Sequence, residues 1–239
     1  MDKAWFREWF DENYLLIYSH RDESDAKKQI ELLLNTIKPQ IDDKILDLGC
    51  GEGRHVSILG KKGFDITGLD LSEDLLKSGR MKNPELKLLH GDMRNIPGKF
   101  KVILSLFTSF GYFDDDNENI NVIKGVYDSL ENGGHFWLDF LNSKYVTANV
   151  VKESFFKIGK ECDVIEKREI VNNRVIKNIT IIKNGNKKRY MESVRLFSKE
   201  ELSDIFTQEG FKIKNIFGDY LGEDWTINSP RTIIHSIKL

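Results

Sequence analysis

Short apolar runs and helix-spaced apolar stripes alternate along the middle of this chain. Ile45, Leu46 and Leu48 form a run of strand character; after three glycines, Val56, Ile58 and Leu59 begin a helix-like stripe. A second run, Phe-Asp-Ile-Thr-Gly-Leu at 64–69, precedes a helix predicted from the cap residue Ser72 to about Met81 and stopped by Asn83-Pro84. Further strands are predicted at 86–90, 100–106 and 135–140. Between the last two lies a helix from 115–117 to Leu130 with Ile120, Ile123, Val126 and Tyr127 on its apolar face. This alternation predicts an α/β fold built on a mostly parallel sheet.

The flanks read differently. Residues 3–18 carry Trp5, Phe6, Trp9, Phe10, Tyr14, Leu15, Ile17 and Tyr18, a spacing that predicts an amphipathic helix and then an aromatic-rich turn. The four leading aromatics are expected to cover the edge of the sheet. Residues 24–37 read as a helix capped by Ser24, with Ile30, Leu33, Leu34 and Ile37 on one face and Pro39 beyond its end.

Residues 146–196 change to alternating strands, with Asn172-Asn173 and Asn184-Gly185-Asn186 as hairpin turns. They are expected to form an antiparallel insertion over the carboxyl edge of the sheet, as a lid or substrate wall. A dimerisation sheet, giving a homodimer, is the alternative reading. Ser198 to Glu201 makes a capping box that opens a helix through Leu202, Ile205 and Phe206 to Gly210. A strand at 211–217, a loop holding Tyr220, Trp225 and Pro230, and a last strand at 231–237 complete the chain. Residues 1–145 and 197–239 thus form one Rossmann-like domain, with 1–38 as a helical lid at its N-terminal end and 146–196 inserted.

Composition narrows the function. Of 239 residues 40% are hydrophobic, enough for a core, and a net charge of −2 gives no footprint for nucleic acid. Lys187, Lys188 and Arg189 cluster at a turn without interleaved aromatics and read as a solvated face. Cys50 and Cys162 stand far apart and offer no metal-ligand spacing, so no metal is expected. No secretory signal core or membrane-length apolar run is present, and a reducing cytoplasm is the expected compartment.

The chemistry concentrates at Gly49, Gly51 and Gly53, where a strand turns into a helix. Glycines there let the backbone approach a ligand, and the helix points free N–H groups at the same spot. Asp70 ends the second strand at about the ~20-residue distance expected of an acid that binds both hydroxyls of a ribose. Its charge disfavours a 2′-phosphate. Asp47, at the end of the first strand, is costly to bury unless it is paired. A cationic ligand or the loop's own N–H groups would supply that pairing, whereas a pyrophosphate would be repelled.

Three motifs then carry a family resemblance. Asp47-Leu48-Gly49-Cys50-Gly51-Glu52-Gly53 resembles the first motif of class I S-adenosylmethionine-dependent methyltransferases, and Leu69-Asp70-Leu71-Ser72 resembles their second. Gly91-Asp92-Met93-Arg94 resembles the third, in which the acid meets the adenine amino group and the next residue packs on the ring. The segment from Tyr14 to Asp22 resembles the lid of small-molecule methyltransferases, including those that N-methylate amino sugars. There a tyrosine and a basic residue, here Tyr18 and Arg21, close over the methionine end of the cofactor. An arginine can fork onto its carboxylate; a surface pair of Arg21 with Asp22 or Glu23 is the ordinary alternative.

After the strand at 100–106, the run Phe107-Thr-Ser-Phe-Gly-Tyr112-Phe113 lacks the prolines with which nucleic-acid amino methyltransferases clamp a base, which argues against DNA or RNA as substrate. The resemblance implies a seven-stranded, mostly parallel sheet whose last strand inserts antiparallel. It also implies S-adenosylmethionine as methyl donor, S-adenosylhomocysteine as product, and a small-molecule acceptor methylated on nitrogen or oxygen. The expected cofactor-binding residues are Tyr18, Arg21, Gly49, Gly51, Asp70, Leu71, Asp92, Met93 and Leu106. Tyr112, Thr108, Asp139 and Arg195 are candidates for the substrate side, Arg195 having Glu192 or Glu200 as ordinary pairing partners. An oxygen acceptor would call for a base, with His20, Asp139 or Tyr112 as candidates. Two rivals remain: an NAD-linked oxidoreductase, for which no Tyr-x-x-x-Lys pair follows strand four or five, and a catalytically silent cofactor-binding module.

Overall fold

Alternate residues of each central strand face opposite layers, and that alternation assembles the computed structural model of this protein, which describes residues 4–18, 23–159 and 162–239. Two short helices, α1 (Trp5–Trp9) and α2 (Glu12–Ile17), precede α3 (Glu23–Ile37). The α/β unit runs β1 (Lys44–Leu48), α4 (Arg54–Lys61), β2 (Asp65–Asp70), α5 (Glu73–Lys82), β3 (Leu88–His90), β4 (Phe100–Ser105), α6 (Asp116–Ser129) and β5 (Leu130–Leu141). The short helix α7 (Ser143–Asn149) leads into β6 (Glu153–Ile158), β7 (Cys162–Val171), β8 (Arg174–Lys183) and β9 (Asn186–Arg195). Helix α8 (Lys199–Gln208), β10 (Phe211–Phe217) and β11 (Arg231–Lys238) close the chain.

The main sheet has seven strands in the order β10-β11-β5-β4-β1-β2-β3. β1 pairs in parallel with both β2 and β4, and β11 lies antiparallel between β10 and β5. Leu46, Leu48, Ile103, Phe136 and Leu138 pack toward α6 and α8. Ile45, Val102, Leu104 and Trp137 face α3 and α4. Both faces are covered, which is why these strands read as continuous apolar runs. Strand order reverses between β1 and β4, so a crevice opens at their carboxyl ends.

The antiparallel expectation for the insertion holds: β6-β7-β8-β9 form a separate four-stranded sheet. Asn172 and Asn173 (φ 49° and 57°) and Asn184 and Gly185 (φ 52° and 77°) make two-residue turns of the type I′ hand that matches strand twist. The aromatic segment differs from its prediction. Instead of one helix it is two, because the Asp11 carboxylate accepts the N–H groups of Asn13 and Tyr14 and starts α2 anew. Of its aromatics, Phe6 packs against the core of the main sheet. Trp5, Trp9 and Ile17 form a third core with Val164, Ile179 and Ile181 of the inserted sheet.

Candidate functional site

A cavity of about 1060 Å³ opens at the carboxyl ends of β1 and β4. Its floor is the turn from β1 into α4. Gly49, Gly51 and Gly53 have φ of 76°, 58° and 78°, values that L side chains rarely adopt. At Gly49 the space is also closed, since a Cβ there would stand 2.6 Å from the Cβ of Ser109. Ser109 Oγ donates at 3.0 Å toward both the Gly49 and the Leu106 carbonyls, joining the glycine loop to the loop after β4. Cys50 packs against Gly68 of β2, where a Cβ would meet its sulfur at 2.6 Å. Burial, then the charge of Asp47, pushes the Cys50 thiol well above its ordinary range, which makes it a packing group rather than a nucleophile.

Asp70 follows directly. Its Oδ2 accepts Gly51 N–H at 2.7 Å and its Oδ1 accepts Ser72 N–H at 2.8 Å. Burial raises its pKa, and these backbone N–H groups oppose that rise. A carboxylate offers about four lone-pair sites, so both oxygens keep capacity for a ligand. Asp92 is ordered by Arg94, whose Nε and Nη2 reach its two oxygens at 2.9 and 2.5 Å. That fork holds the carboxyl below its usual range and so ionised. Arg94 also pairs with Glu118 and lies over the Phe113 ring at 4.6 Å.

Behind the loop, Asp47 is 1% exposed and its Oδ2 meets no hydrogen-bond donor among the described residues. The nearest group that can carry positive charge is His55 Nδ1 at 3.7 Å, with His55 Nε2 held at 2.7 Å by Gln29 Oε1. An orphaned buried carboxylate oxygen is expensive. The loop therefore suits a ligand bearing positive charge.

Of the residues singled out from sequence, Tyr18, Gly49, Gly51, Asp70, Leu71, Asp92, Met93, Leu106 and Tyr112 all line this one cavity. Arg21 and His20 lie outside the described residues. Three substrate-side candidates are corrected. Asp139, 1% exposed, does not line the cavity; its carboxylate accepts Arg231 Nε at 2.7 Å, Tyr220 OH at 2.9 Å and the N–H of Phe107 at 3.0 Å. Thr108 Oγ1 is likewise turned to Arg231 Nη2, at 2.9 Å. Arg195 pairs with Asp116 at 3.2 Å and Glu201 at 2.7 Å rather than with Glu192 or Glu200, because β9 delivers it to the N-terminal ends of α6 and α8. Glu192 instead takes Trp9 Nε1–H and Lys177, each at 2.5 Å.

The cavity also holds Phe6 and Phe10, which the sequence had placed on the edge of the sheet; with Tyr14 they line it beside Tyr18, Tyr112 and Phe113. Ser72 Oγ donates to the Phe10 carbonyl at 2.6 Å and so ties the end of α1 to the turn after β2. The insertion itself supplies no wall: among the described residues, no side chain of β6 to β9 lines the cavity. The aromatic density of 5–18 was the available signal, but apolar spacing does not say which core an aromatic joins.

Comparison with known proteins agrees with this geometry. Residues 45–134 match the model of a methyltransferase domain. Over that stretch the chain is similar to methyltransferase domains. A relative from Streptomyces venezuelae, dTDP-3-amino-3,4,6-trideoxy-alpha-D-glucopyranose N,N-dimethyltransferase, is 27% identical over 230 residues, spanning 91% of this chain and 96% of the relative. In fold, the chain is similar to an S-adenosylmethionine-dependent methyltransferase from Clostridium acetobutylicum (TM-score 0.79, 20% identity, 94% of this chain and 95% of that one). It is equally similar to the CcbJ methyltransferase from Streptomyces caelestis (TM-score 0.80, 15% identity, 100% and 99%).

S-adenosylmethionine fits the donor set. The glycine cradle and the ionisable Asp70 line the cavity and suit a ribose, while the negative charge of Asp47 behind the loop favours a positively charged amino-acid portion over a pyrophosphate.

Proposed function

We propose that this chain is an S-adenosylmethionine-dependent methyltransferase that methylates an amino group of a small, sugar-like acceptor. The observation that carries the reading is the continuity of one cavity from the glycine loop to an aromatic end. When bound, S-adenosylmethionine supplies an electrophilic methyl on a sulfonium sulfur, open to displacement by a neutral amine. We assign the ribose hydroxyls to Asp70, the adenine amino group to Asp92, and ring packing to Leu71 and Met93. Gly49 and Gly51 hold the amino-acid portion, with Leu106 beside the transferring methyl and Tyr18 and Arg21 closing over it.

The aromatic end supports nitrogen over oxygen. Among the described residues, Phe6, Phe10, Tyr14, Tyr18, Tyr112 and Phe113 give the cavity an aromatic lining. A hydroxyl acceptor would need a general base; an uncharged amine does not. Aromatic faces also stabilise an ammonium by cation–π attraction, which suits the methylated product. The chain's main contribution to rate is alignment, an effect that can supply roughly 7–11 kcal/mol of a barrier. The named activity of the Streptomyces venezuelae relative, N,N-dimethylation of an amino sugar, points the same way.

Two further assignments belong to this reading. Cys50 and Cys162 are both free, which suits a reducing cytoplasm. Strand β6 is a free edge of the inserted sheet and Phe155 on it is 59% exposed, which supports a homodimer through the insertion.

The test is calorimetric titration with S-adenosylmethionine, S-adenosylhomocysteine and NAD, followed by a screen of amines and hydroxy compounds as acceptors. Saturable binding of the first two and turnover of amines alone is the expected result. Turnover of hydroxy compounds alone would overturn the nitrogen assignment, and binding of NAD alone would overturn the whole function.

A further inference from the structure

The inserted sheet reaches the cavity wall through one arginine. Arg174, the first residue of β8, extends along the loop that follows β4. Its Nη1 donates to the carbonyl of Phe113 at 3.0 Å, and its Nη2 reaches the carbonyls of Gly111 and Tyr112 at 3.4 and 3.3 Å. Ser193 of β9 grips the guanidinium from the other side, with Oγ 2.7 Å from Nε and its carbonyl 2.8 Å from Nη2. The backbone N–H of Arg195 closes on Gly111 O at 2.8 Å, and Trp5 Nε1 on Tyr112 O at 3.3 Å. Three consecutive carbonyls of the loop thus accept from Arg174 of the inserted sheet, with Trp5 adding a donor at Tyr112 and Asn119 one at Phe113, while the Tyr112 side chain lines the cavity.

Only arginine can do this. Its planar fork presents several N–H donors in fixed directions, whereas a lysine offers one compact charge. The loop also has little freedom to drift: Gly111 sits at φ 83°, and a Cβ there would stand 3.1 Å from the carbonyl oxygen of Arg195.

We propose that Arg174 is the positioning residue through which the inserted sheet sets the acceptor-side wall at Tyr112. The proposal rests on the methyl-transfer reading above. It separates two sides of the cavity: Arg174 holds the backbone at Tyr112, on the side that the transferring methyl faces, whereas Asp70 and Asp92 are held by Gly51, Ser72 and Arg94. It also gives the insertion a role that it exercises without touching substrate.

Two cofactor analogues separate these sides. S-adenosylhomocysteine lacks the transferable methyl; sinefungin carries an amine on the carbon that replaces the sulfonium, projecting toward the acceptor. Both are titrated calorimetrically into wild type, Arg174→Met, Arg174→Lys and Gly111→Ala. The homocysteine analogue should keep its affinity within about twofold in every variant, because Asp70 and Asp92 are held by hydrogen bonds that Arg174 does not make. Sinefungin should bind about tenfold more weakly to Arg174→Met and to Gly111→Ala, the size of one lost charge-assisted hydrogen bond, with Arg174→Lys failing to restore it. Unchanged sinefungin affinity in a folded Arg174→Met protein overturns the proposal, and so does equal weakening of both ligands. If Arg174→Met does not fold, Gly111→Ala disturbs the same loop from within the Rossmann-like domain and decides by the same ratio. Failure of wild type to bind either analogue is a different result, one that removes the methyl-transfer reading itself.

Discussion

Asp139 and Arg231 meet diagonally across the β5–β11 ladder, where Arg231 pairs with Leu141 and Asp139 with Ile233, and the Arg231 Nε and Nη2 both lie 2.7 Å from Asp139 Oδ1. The carboxylate is 1% exposed and the arginine side chain 13%. Between them they hold Phe107 and Thr108, two non-glycine residues in the left-handed region at φ 55° and 67°. The Phe107 N–H goes to Asp139 Oδ2, the Thr108 N–H to the Asp139 carbonyl, and the Thr108 hydroxyl accepts from Arg231. Such backbone costs about 1–3 kcal/mol per residue and persists only where its surroundings dictate it. The pair is therefore a brace that lets the chain leave β4 at an unusual angle beneath the cavity.

Removing one partner of this brace strands a buried charge. Asp139→Ala should lower the unfolding free energy by about 3–5 kcal/mol, read from urea denaturation. Arg231→Met paired with Asp139→Leu should cost less than the sum of the two single changes, because both charges leave together. Strict additivity in that cycle would mean the two side chains are not coupled.

Asp70→Asn replaces a charged acceptor beside two backbone donors. If the carboxylate receives ribose hydroxyls, S-adenosylhomocysteine should lose about 1.5–3 kcal/mol of binding, roughly ten- to a hundredfold in Kd. Asp65→Asn at the other end of β2, an acid with 40% side-chain exposure, is the control and should bind normally. Equal affinity of the Asp70 variant and wild type would remove the ribose assignment.

Gly49→Ala meets two obstacles at once, a left-handed φ of 76° and a Cβ site 2.6 Å from Ser109. The combined expectation is a lower melting temperature and loss of S-adenosylhomocysteine binding. Adding Ser109→Gly should relieve the contact but not the backbone strain, and so recover binding only in part. Full binding by the single variant would show that the cradle is looser than its geometry indicates.

On the main sheet, His235 Nε2 lies 3.0 Å from His135 Nδ1, and its own Nδ1 lies 3.1 Å from Asn215 Oδ1. Burial, then the neighbouring His135, depresses the His235 pKa from 6.5 to about 4. Burial also lowers that of His135. A histidine held neutral in the folded state contributes its full stability above the unfolded value of 6.5. That contribution fades as pH falls through the window down to about 4. Unfolding free energy measured between pH 7 and pH 4 should therefore decline more steeply in wild type than in His235→Gln. Parallel curves would mean His235 titrates alike in both states.

Much of this architecture was legible in the chain. Ile45 to Leu48 read as a strand because β1 is covered on both faces, and Asn172-Asn173 read as a turn because asparagine tolerates positive φ. Gly49, Asp70 and Asp92 were legible because they are local: each lies at the carboxyl end of a strand or the turn just beyond it, and a parallel sheet collects those ends along one edge. The second start at Asp11 was less so, since a cap is one short side chain inside an aromatic pattern that favours one continuous helix.

Asp139, Thr108 and Arg195 mark where the legibility ends. Each stands at or beside the end of a strand near the active edge, and each turned to a partner far along the chain: Arg231 for the first two, Asp116 and Glu201 for the third. Whether a carboxylate faces a ligand or a buried arginine depends on which strand lies next to it, and β11 reaches β5 only by reversing direction after β10.

The sequence by itself determined the elements, the order of the glycine and acid motifs, and the edge of the sheet on which they meet, because those follow from periodicity and from chain direction. Tertiary structure alone decided that the N-terminal aromatics wall the cavity, that the inserted sheet stands behind them, and that Arg174 spans the gap. Those are contacts between segments about 60 to 180 residues apart in sequence. Burial and donor geometry select such partners, and no local pattern encodes them.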